Sequence, residues 1–147
     1  MEGTQRMEHV AGWIRALVRC GIGGAAYYVL ELTWRGHSHW TMAVLGGILF
    51  VLLGDIDRRL GGNVPLWAQG MLGAALVTEA ELSAGIWLNL IWRLDIWDYS
   101  RVPFNLLGQI CLPYTLLWLP VSMLAIRLDG WLRRRLFRES APSRHPT

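Results

Sequence analysis

Long apolar stretches separated by short polar segments dominate this chain. Three of them contain no Asp, Glu or Arg: residues 36–54, 60–78 and 102–126. An earlier stretch, 14–34, is apolar except for Arg15, Arg19 and Glu31. Because a helix needs about 20 apolar residues to cross a bilayer core, the pattern predicts an all-α integral membrane protein. About four transmembrane helices are expected, at about 14–34, 39–55, 65–91 and 104–128.

Arginine is distributed unevenly between the predicted loops. With four spans, both termini and the middle loop lie on one side of the membrane. That side carries eleven arginines: Arg6, Arg15, Arg19, Arg58, Arg59, Arg127, Arg133, Arg134, Arg135, Arg138 and Arg144. The other side carries three, Arg35, Arg93 and Arg101. Because basic loops stay in the cytoplasm, we predict that both termini are cytoplasmic.

The helices are predicted to form one domain, residues 1–130. Residues 131–147 follow as a basic, amphipathic and disordered cytoplasmic tail, in which Arg alternates with Leu, Trp and Phe as far as Arg138. Such a segment favours contact with anionic membrane lipid, although it also suits a stop-transfer anchor that only fixes topology.

Composition narrows the function classes further. Hydrophobic residues make up 53% of the chain and charged residues 17%, which is poor in charge for a soluble domain. All the basic residues are Arg, and a phosphate-binding loop requires Lys, so the chain is not itself a P-loop ATPase. Its basic residues are scattered at segment ends, which argues against a nucleic-acid partner. Cys20 and Cys111 lack metal-ligand spacing, and we predict neither a metal nor a cofactor.

Polar residues converge on the predicted outer half of the bundle. Glu31 lies one turn from the outer end of helix one, and Glu81 lies beyond the midplane in helix three. Asn105 and Gln109 are expected in the first two turns of helix four. The outer loops add Arg35, His37, His39, Asp95 and Asp98.

Two interpretations of these polar groups stay open. A carboxylate in a spanning helix is costly and marks a functional site by default. The polar groups could therefore line an outward-facing cavity for a polar or zwitterionic ligand, with Glu31 or Glu81 exchanging a proton. Alternatively they are structural, with Glu31 held by Arg35 and Glu81 bonded to Gln109.

Helix geometry and residue spacing favour some candidates over others. Glu79 lies about 200° around the helix from Glu81, so the two cannot face one pocket, and Glu81 is preferred. His37 and His39 could be combined with Glu31 into a metal site, but this spacing is not specific. Interfacial histidines bonded to water or backbone are the favoured interpretation.

A short repeat suggests duplicated helical hairpins. Glu31-Leu32 recurs as Glu81-Leu82, and each pair is followed by a Trp-rich loop. The segments VLGGI at 44–48 and LLGQI at 106–110 then correspond. Since helices one and three run the same way, such a duplication would be of the parallel type.

Two segments resemble the CmpB-type family of ABC-transporter permeases, which is related to the transmembrane protein 229 group. Residues 28–47 read YVLELTWRGHSHWTMAVLGG, and residues 81–110 hold ELSAG, WDYS and FNLLGQI. The likeness covers most of residues 14–130, and it implies a location in a bacterial plasma membrane. In the first hairpin it singles out Glu31, Trp34, Arg35, Gly36, Ser38, His39 and Trp40. In the second it singles out Glu81, Gly85, Trp97, Asp98, Tyr99, Ser100, Asn105, Gly108 and Gln109.

The leading hypothesis is a small permease-like transport or ligand-binding protein with a polar site in the outer half of the bilayer. Its candidate ligand-binding or proton-exchanging residues are Glu31, Arg35, His39, Glu81, Asp98, Tyr99, Asn105 and Gln109. A homo-oligomer is expected, because four short helices rarely enclose a substrate path.

One alternative is a membrane enzyme acting on lipid headgroups, with Glu31, His39 or Asp98 as acid or base. The other is a non-catalytic accessory subunit with a membrane-complex partner. The non-enzymatic roles are favoured, and no catalytic residue is assigned.

Overall fold

A computed structural model describes residues 2–60 and 63–139, and most of them are helical. Four α-helices lie within these residues: α1 (Glu2–Arg35), α2 (Trp40–Leu60), α3 (Leu66–Gly85) and α4 (Leu112–Phe137). A π-helical turn, Ile86–Ile91, continues α3. A small antiparallel hairpin of β1 (Asn105–Leu106) and β2 (Ile110–Cys111) precedes α4.

Three helical segments in the described part of the chain are long and apolar enough to cross a membrane. They are Trp40–Leu60, Leu66–Ile91 and Leu112–Phe137. The helix α1 is not among them, since Arg15, Arg19 and Glu31 interrupt its apolar stretch. The prediction of a helical membrane protein is therefore supported by three candidate spans, and the span predicted at 14–34 stays a prediction.

The predicted start of the fourth helix, at about residue 104, is wrong. The helix α4 begins at Leu112, so Asn105 and Gln109 lie in the hairpin before it. The backbone of Phe104 has φ of 56° and that of Leu107 has φ of 53°, values that a right-handed helix does not allow. The Asn105 side chain closes the hairpin turn by accepting a hydrogen bond from the Gly108 N–H, and it donates to the carbonyl groups of Ser100 and Val102 in the preceding loop.

The other end of α4 also differs from the prediction. The helix continues through residues 131–137, which were predicted to begin a cytoplasmic tail. Residues 140–147, the rest of that predicted tail, lie outside the described residues. The basic segment is thus largely an extension of the last helix.

The helices pack as two antiparallel pairs, α1 with α2 and α3 with α4, and α2 also contacts α4. The buried apolar core lies between the last three helices and consists of Leu49, Leu53, Ala74, Val77, Trp118 and Ile126. Many large apolar side chains remain exposed on the outer faces of the helices, as expected where lipid replaces water. The predicted duplication of the hairpins stays a prediction.

Glycine allows α1 and α2 to approach with their backbones nearly in contact. A Cβ atom added at Gly47 would meet the backbone carbonyl of Cys20, and one added at Gly24 would meet that of Ala43. Small residues of this kind permit close helix contacts within a membrane, where packing drives association.

A buried group of charges, which we call the Asp129 ion network, joins α1, α2 and α4. Asp129 is 0% exposed. Arg19 Nε donates to its Oδ1 at 2.6 Å, and Arg133 Nε lies 2.8 Å from its Oδ2 as an ion pair without hydrogen-bond alignment. Arg19 also pairs with Asp55 at 3.2 Å, and Arg133 with Asp57 at 3.7 Å. The sequence pattern alone predicts only a topological role for Arg19 and Arg133.

Removal of Arg19 is expected to destabilise the fold strongly. In Arg19→Gln, the buried Asp129 carboxylate loses its closest cation, and breaking a buried pair in this way costs about 3–5 kcal/mol. The matched control is Arg15→Gln, because Arg15 lies one turn earlier, is 45% exposed and forms one ion pair with Glu139. An exposed pair contributes about 1 kcal/mol or less. Unfolding titrations with SDS in mixed micelles measure both variants, and equal losses would contradict the assigned role.

The close contact of α1 with α2 gives a second prediction. In Gly47→Ala, the added methyl group should push the helices apart and cost about 1–3 kcal/mol in unfolding free energy. At Gly21, on the same helix as the Cys20 contact, an added Cβ meets nothing within 4 Å. Gly21→Ala should therefore leave stability unchanged or raise it by up to about 1 kcal/mol through helix propensity. The same SDS titration compares them, and a neutral Gly47→Ala would refute the close approach.

Candidate functional site

Glu31 is a buried carboxylate that is well supplied with hydrogen bonds. It is 6% exposed and accepts from the Tyr27 hydroxyl at 3.4 Å, from Arg35 Nη1 at 3.1 Å and from the Ser38 hydroxyl at 2.5 Å. Spacing of four residues places Tyr27, Glu31 and Arg35 on one face of α1. Arg35 Nη2 also donates to the carbonyl oxygen of Ile96 at 2.7 Å. The predicted pairing of Glu31 with Arg35 is present, and it connects α1 to the loop after the π-helical turn.

Glu81 is the second buried carboxylate at this end of the bundle. It is 4% exposed on α3, whereas Glu79 is exposed. Its Oε2 accepts a hydrogen bond of 2.7 Å from the indole Nε1 of Trp118 on α4. The alternative in which Glu81 bonds to Gln109 is therefore wrong, because Trp118 is the donor.

Gln109 instead belongs to a buried amide network that fixes the loop before α4. Asn89 Nδ2 donates to Gln109 Oε1 at 2.8 Å and to the Trp97 carbonyl at 3.0 Å. The Asn89 Oδ1 accepts from the Ile96 backbone N–H at 2.8 Å, and Trp97 Nε1 donates to the Gln109 carbonyl at 2.9 Å. Asn89 lies in the π-helical turn and was not predicted. The sequence feature that could have identified Asn89 is a single amide in the otherwise apolar run IWLNLI.

Three of the predicted site residues form local contacts in the loops. His39 Nδ1 lies 2.8 Å from the Thr41 hydroxyl at the start of α2. Asp98 is exposed and accepts from the Ser100 backbone N–H and hydroxyl, each at 2.8 Å. These bonds hold the pKa of Asp98 below its ordinary value. Asn105 closes the hairpin turn, so none of the three joins the buried carboxylates.

Tyr99, another predicted site residue, packs between the loop and α4. It is half-buried, and its ring stacks on that of Tyr114 with centroids 4.8 Å apart. It also packs beside the small buried cluster of Met42, Ile96 and Trp97. The contacts assign it to the packing between the loop and α4.

A cavity of about 240 Å³ lies beside Glu81 among the four helices. Its lining is apolar apart from four side chains with polar atoms: Tyr27, Glu81, Trp118 and Ser122. The Tyr27 and Trp118 rings have centroids 6.3 Å apart. Ser122 is 0% exposed, and its hydroxyl has no hydrogen-bond partner within the described residues.

Tyr27 connects the two buried carboxylates. Its hydroxyl donates to Glu31, and its ring lines the cavity together with Glu81. The structure thus brings Glu31, Arg35 and Glu81 to one end of the bundle. The cavity residues Tyr27, Trp118 and Ser122 were missed, although Tyr27 stands one helical turn before Glu31 in the sequence.

Comparison with protein families places most of the chain in one family. The family described as "Putative ABC-transporter type IV" matches residues 20–141. The match covers both buried carboxylates, the cavity residues and the hairpin. Comparisons with curated proteins and with solved structures give no match. The matched segment spans most of the chain and confirms the resemblance found in the sequence: this membrane protein belongs to the CmpB-type ABC-transporter type IV family.

Proposed function

We propose that this protein is a small transporter-like membrane protein that binds a ligand inside its helical bundle, with Glu81 as the central binding residue. The observation that carries the proposal is a buried carboxylate in the lining of an otherwise apolar cavity. A carboxylate in a spanning helix is costly and marks a functional site by default.

The two buried carboxylates differ in how well the protein itself satisfies them. Glu31 receives three side-chain hydrogen bonds, one of them from the guanidinium of Arg35. This supports a structural role in which Glu31 and Arg35 hold α1 against the loop. Glu81 receives one side-chain hydrogen bond, from Trp118, and borders the cavity. The difference supports Glu81 as the residue available to a ligand.

The proposed topology has four spans, with both termini in the cytoplasm of a bacterial plasma membrane. The helix α1 is 34 residues long, and a span needs about 20. It packs along α2 and contributes to the cavity wall. The arginine asymmetry supports placing Glu31 and Glu81 in the outer half and the Asp129 ion network near the cytoplasm. A homo-oligomer would add walls that four helices lack.

An enzyme acting on lipid headgroups has less support. Such an enzyme needs its acid and base within reach of one substrate, whereas His39 and Asp98 are bonded within separate loops. The sequence contains no Lys, and a nucleotide-binding P-loop requires one. A nucleotide-binding subunit would therefore have to be another chain.

The topology can be tested by cysteine labelling. In a background with Cys20 and Cys111 replaced by Ala, His37→Cys should react with a membrane-impermeant maleimide added to intact cells. Arg59→Cys, exposed at the end of α2, should react only after permeabilisation. Their positions on opposite sides follow from any span by α2. Reversed labelling would overturn the proposed orientation, and labelling of both from outside would overturn the span itself.

The binding role is tested by native mass spectrometry of protein gently extracted from its own membrane. Wild type should retain a small molecule or lipid in fixed ratio, and Glu81→Gln should lose it, because the amide removes the charge that binds it. Glu79→Gln is the matched control, since Glu79 is exposed two residues away on the same helix. Elution as the same oligomer shows that each variant folds.

Three outcomes of this measurement argue against the proposal. Loss of folding in Glu81→Gln alone would assign Glu81 to helix packing. Retention of the molecule in Glu81→Gln would move the site elsewhere. A second membrane protein or an ATPase in fixed ratio, with no bound small molecule, would assign the chain to an accessory role.

A further inference from the structure

We infer that the ligand is an amphipathic monovalent cation that enters the cavity from the lipid bilayer. The inference rests on the proposed function and names the chemical class that its site would take. It follows from the charges around the cavity, from the chemistry of the lining and from the position of the opening.

The charges around the cavity leave one carboxylate without a cation. Glu31 is paired with Arg35 at 3.1 Å. Among the described residues, no Arg or His lies within ion-pair distance of Glu81. An ionised Glu81 would therefore lack compensation in an apolar cavity, where an unpaired charge is expensive. One positive charge on the ligand supplies it.

The lining favours an organic cation over a hydrated metal ion. Apart from the polar atoms of Tyr27, Glu81, Trp118 and Ser122, the lining is aliphatic and aromatic. The Tyr27 hydroxyl is already bonded to Glu31, so the cavity lacks the roughly six oxygen ligands that a hard metal ion requires. Tyr27 and Trp118 lie beside the carboxylate, and aromatic rings attract alkylated ammonium groups while tolerating their apolar substituents.

The cavity is too small to enclose a whole drug-sized ligand, and its opening leaves room for part of the ligand to lie outside. Its volume of about 240 Å³ is below the about 300–1,000 Å³ typical of pockets for drug-sized ligands. Leu30 of α1 and Leu124 of α4 both line the cavity and are 50% and 68% exposed. They mark a mouth between these two helices on the outer, lipid-facing side of the bundle. The charged head fits inside beside Glu81, and an apolar tail extends through the mouth.

The test compares two probes that differ only in charge. Benzyltrimethylammonium is a permanent cation, and neopentylbenzene has the same shape with carbon in place of nitrogen. Equilibrium binding of each radiolabelled probe is measured on protein in lipid nanodiscs. Wild type and Glu79→Gln should bind the cation at least about tenfold more tightly than its neutral isostere, as cation–π and ionic contacts in a desolvated site allow. Glu81→Gln should abolish that preference.

A second pair of variants tests the mouth. Leu124→Trp should weaken binding of the cation, because the larger side chain fills the opening. Leu116→Trp, at another exposed position on α4 that does not line the cavity, should leave binding unchanged. Equal effects of the two substitutions would overturn entry between α1 and α4.

The outcomes separate this inference from the proposed function. If the neutral isostere binds as tightly as the cation, or if Glu81→Gln keeps the preference, the cationic ligand is wrong while binding in the cavity stands. The same holds if the native mass spectrum reveals a neutral or anionic ligand that depends on Glu81. If neither probe binds and the native spectrum shows no bound molecule, both the inference and the proposed function fail.

Discussion

Asp129 lies with no exposed surface between two arginines at the point where α1, α2 and α4 meet. This contact compensates the buried charge that α1 brings into the bundle. That helix is the least apolar of the four, and a bilayer gives no hydrophobic drive for helices to associate. The buried Arg19 therefore needs partners inside the protein, and it finds them in Asp129 and Asp55. Removing one side of such a pair costs far more than the pair contributes, because the other charge stays buried.

The second half of α1 is held in three ways. Near the midpoint of the helix, Arg19 binds acids on α2 and α4. Further along, Gly24 lets its backbone touch that of α2 at Ala43, and Gly47 of α2 does the same at Cys20. At its C-terminal end, Arg35 connects Glu31 to the Ile96 carbonyl. The cavity lies between the two charged contacts, where α1 and α4 have few contacts. The same attachments that keep α1 in place thus leave room beside Glu81.

The sequence predicts the features that depend on local periodicity. Uncharged stretches located three candidate spans, i to i+4 spacing gave the pairing of Glu31 with Arg35, and helix geometry separated Glu81 from Glu79. The hairpin before α4 could not be found this way. Residues 102–126 carry no charge and have the composition of one long helix, whereas positive φ at Phe104 and Leu107 and the Asn105 turn decide the fold there. Trp118 as the donor to Glu81 also required the packing of α3 on α4, which no spacing rule supplies.

The Arg19–Asp129 bond joins residues separated by 110 positions in the chain. During synthesis at the ribosome, Arg19 emerges 110 residues before the acid that it needs. Asp55 emerges much earlier and offers Arg19 a first partner once α2 has been made. A chain truncated before α4 would lack Asp129 and could not form the final pair. The contact between α1 and α4 can therefore form only after all four helices have been made.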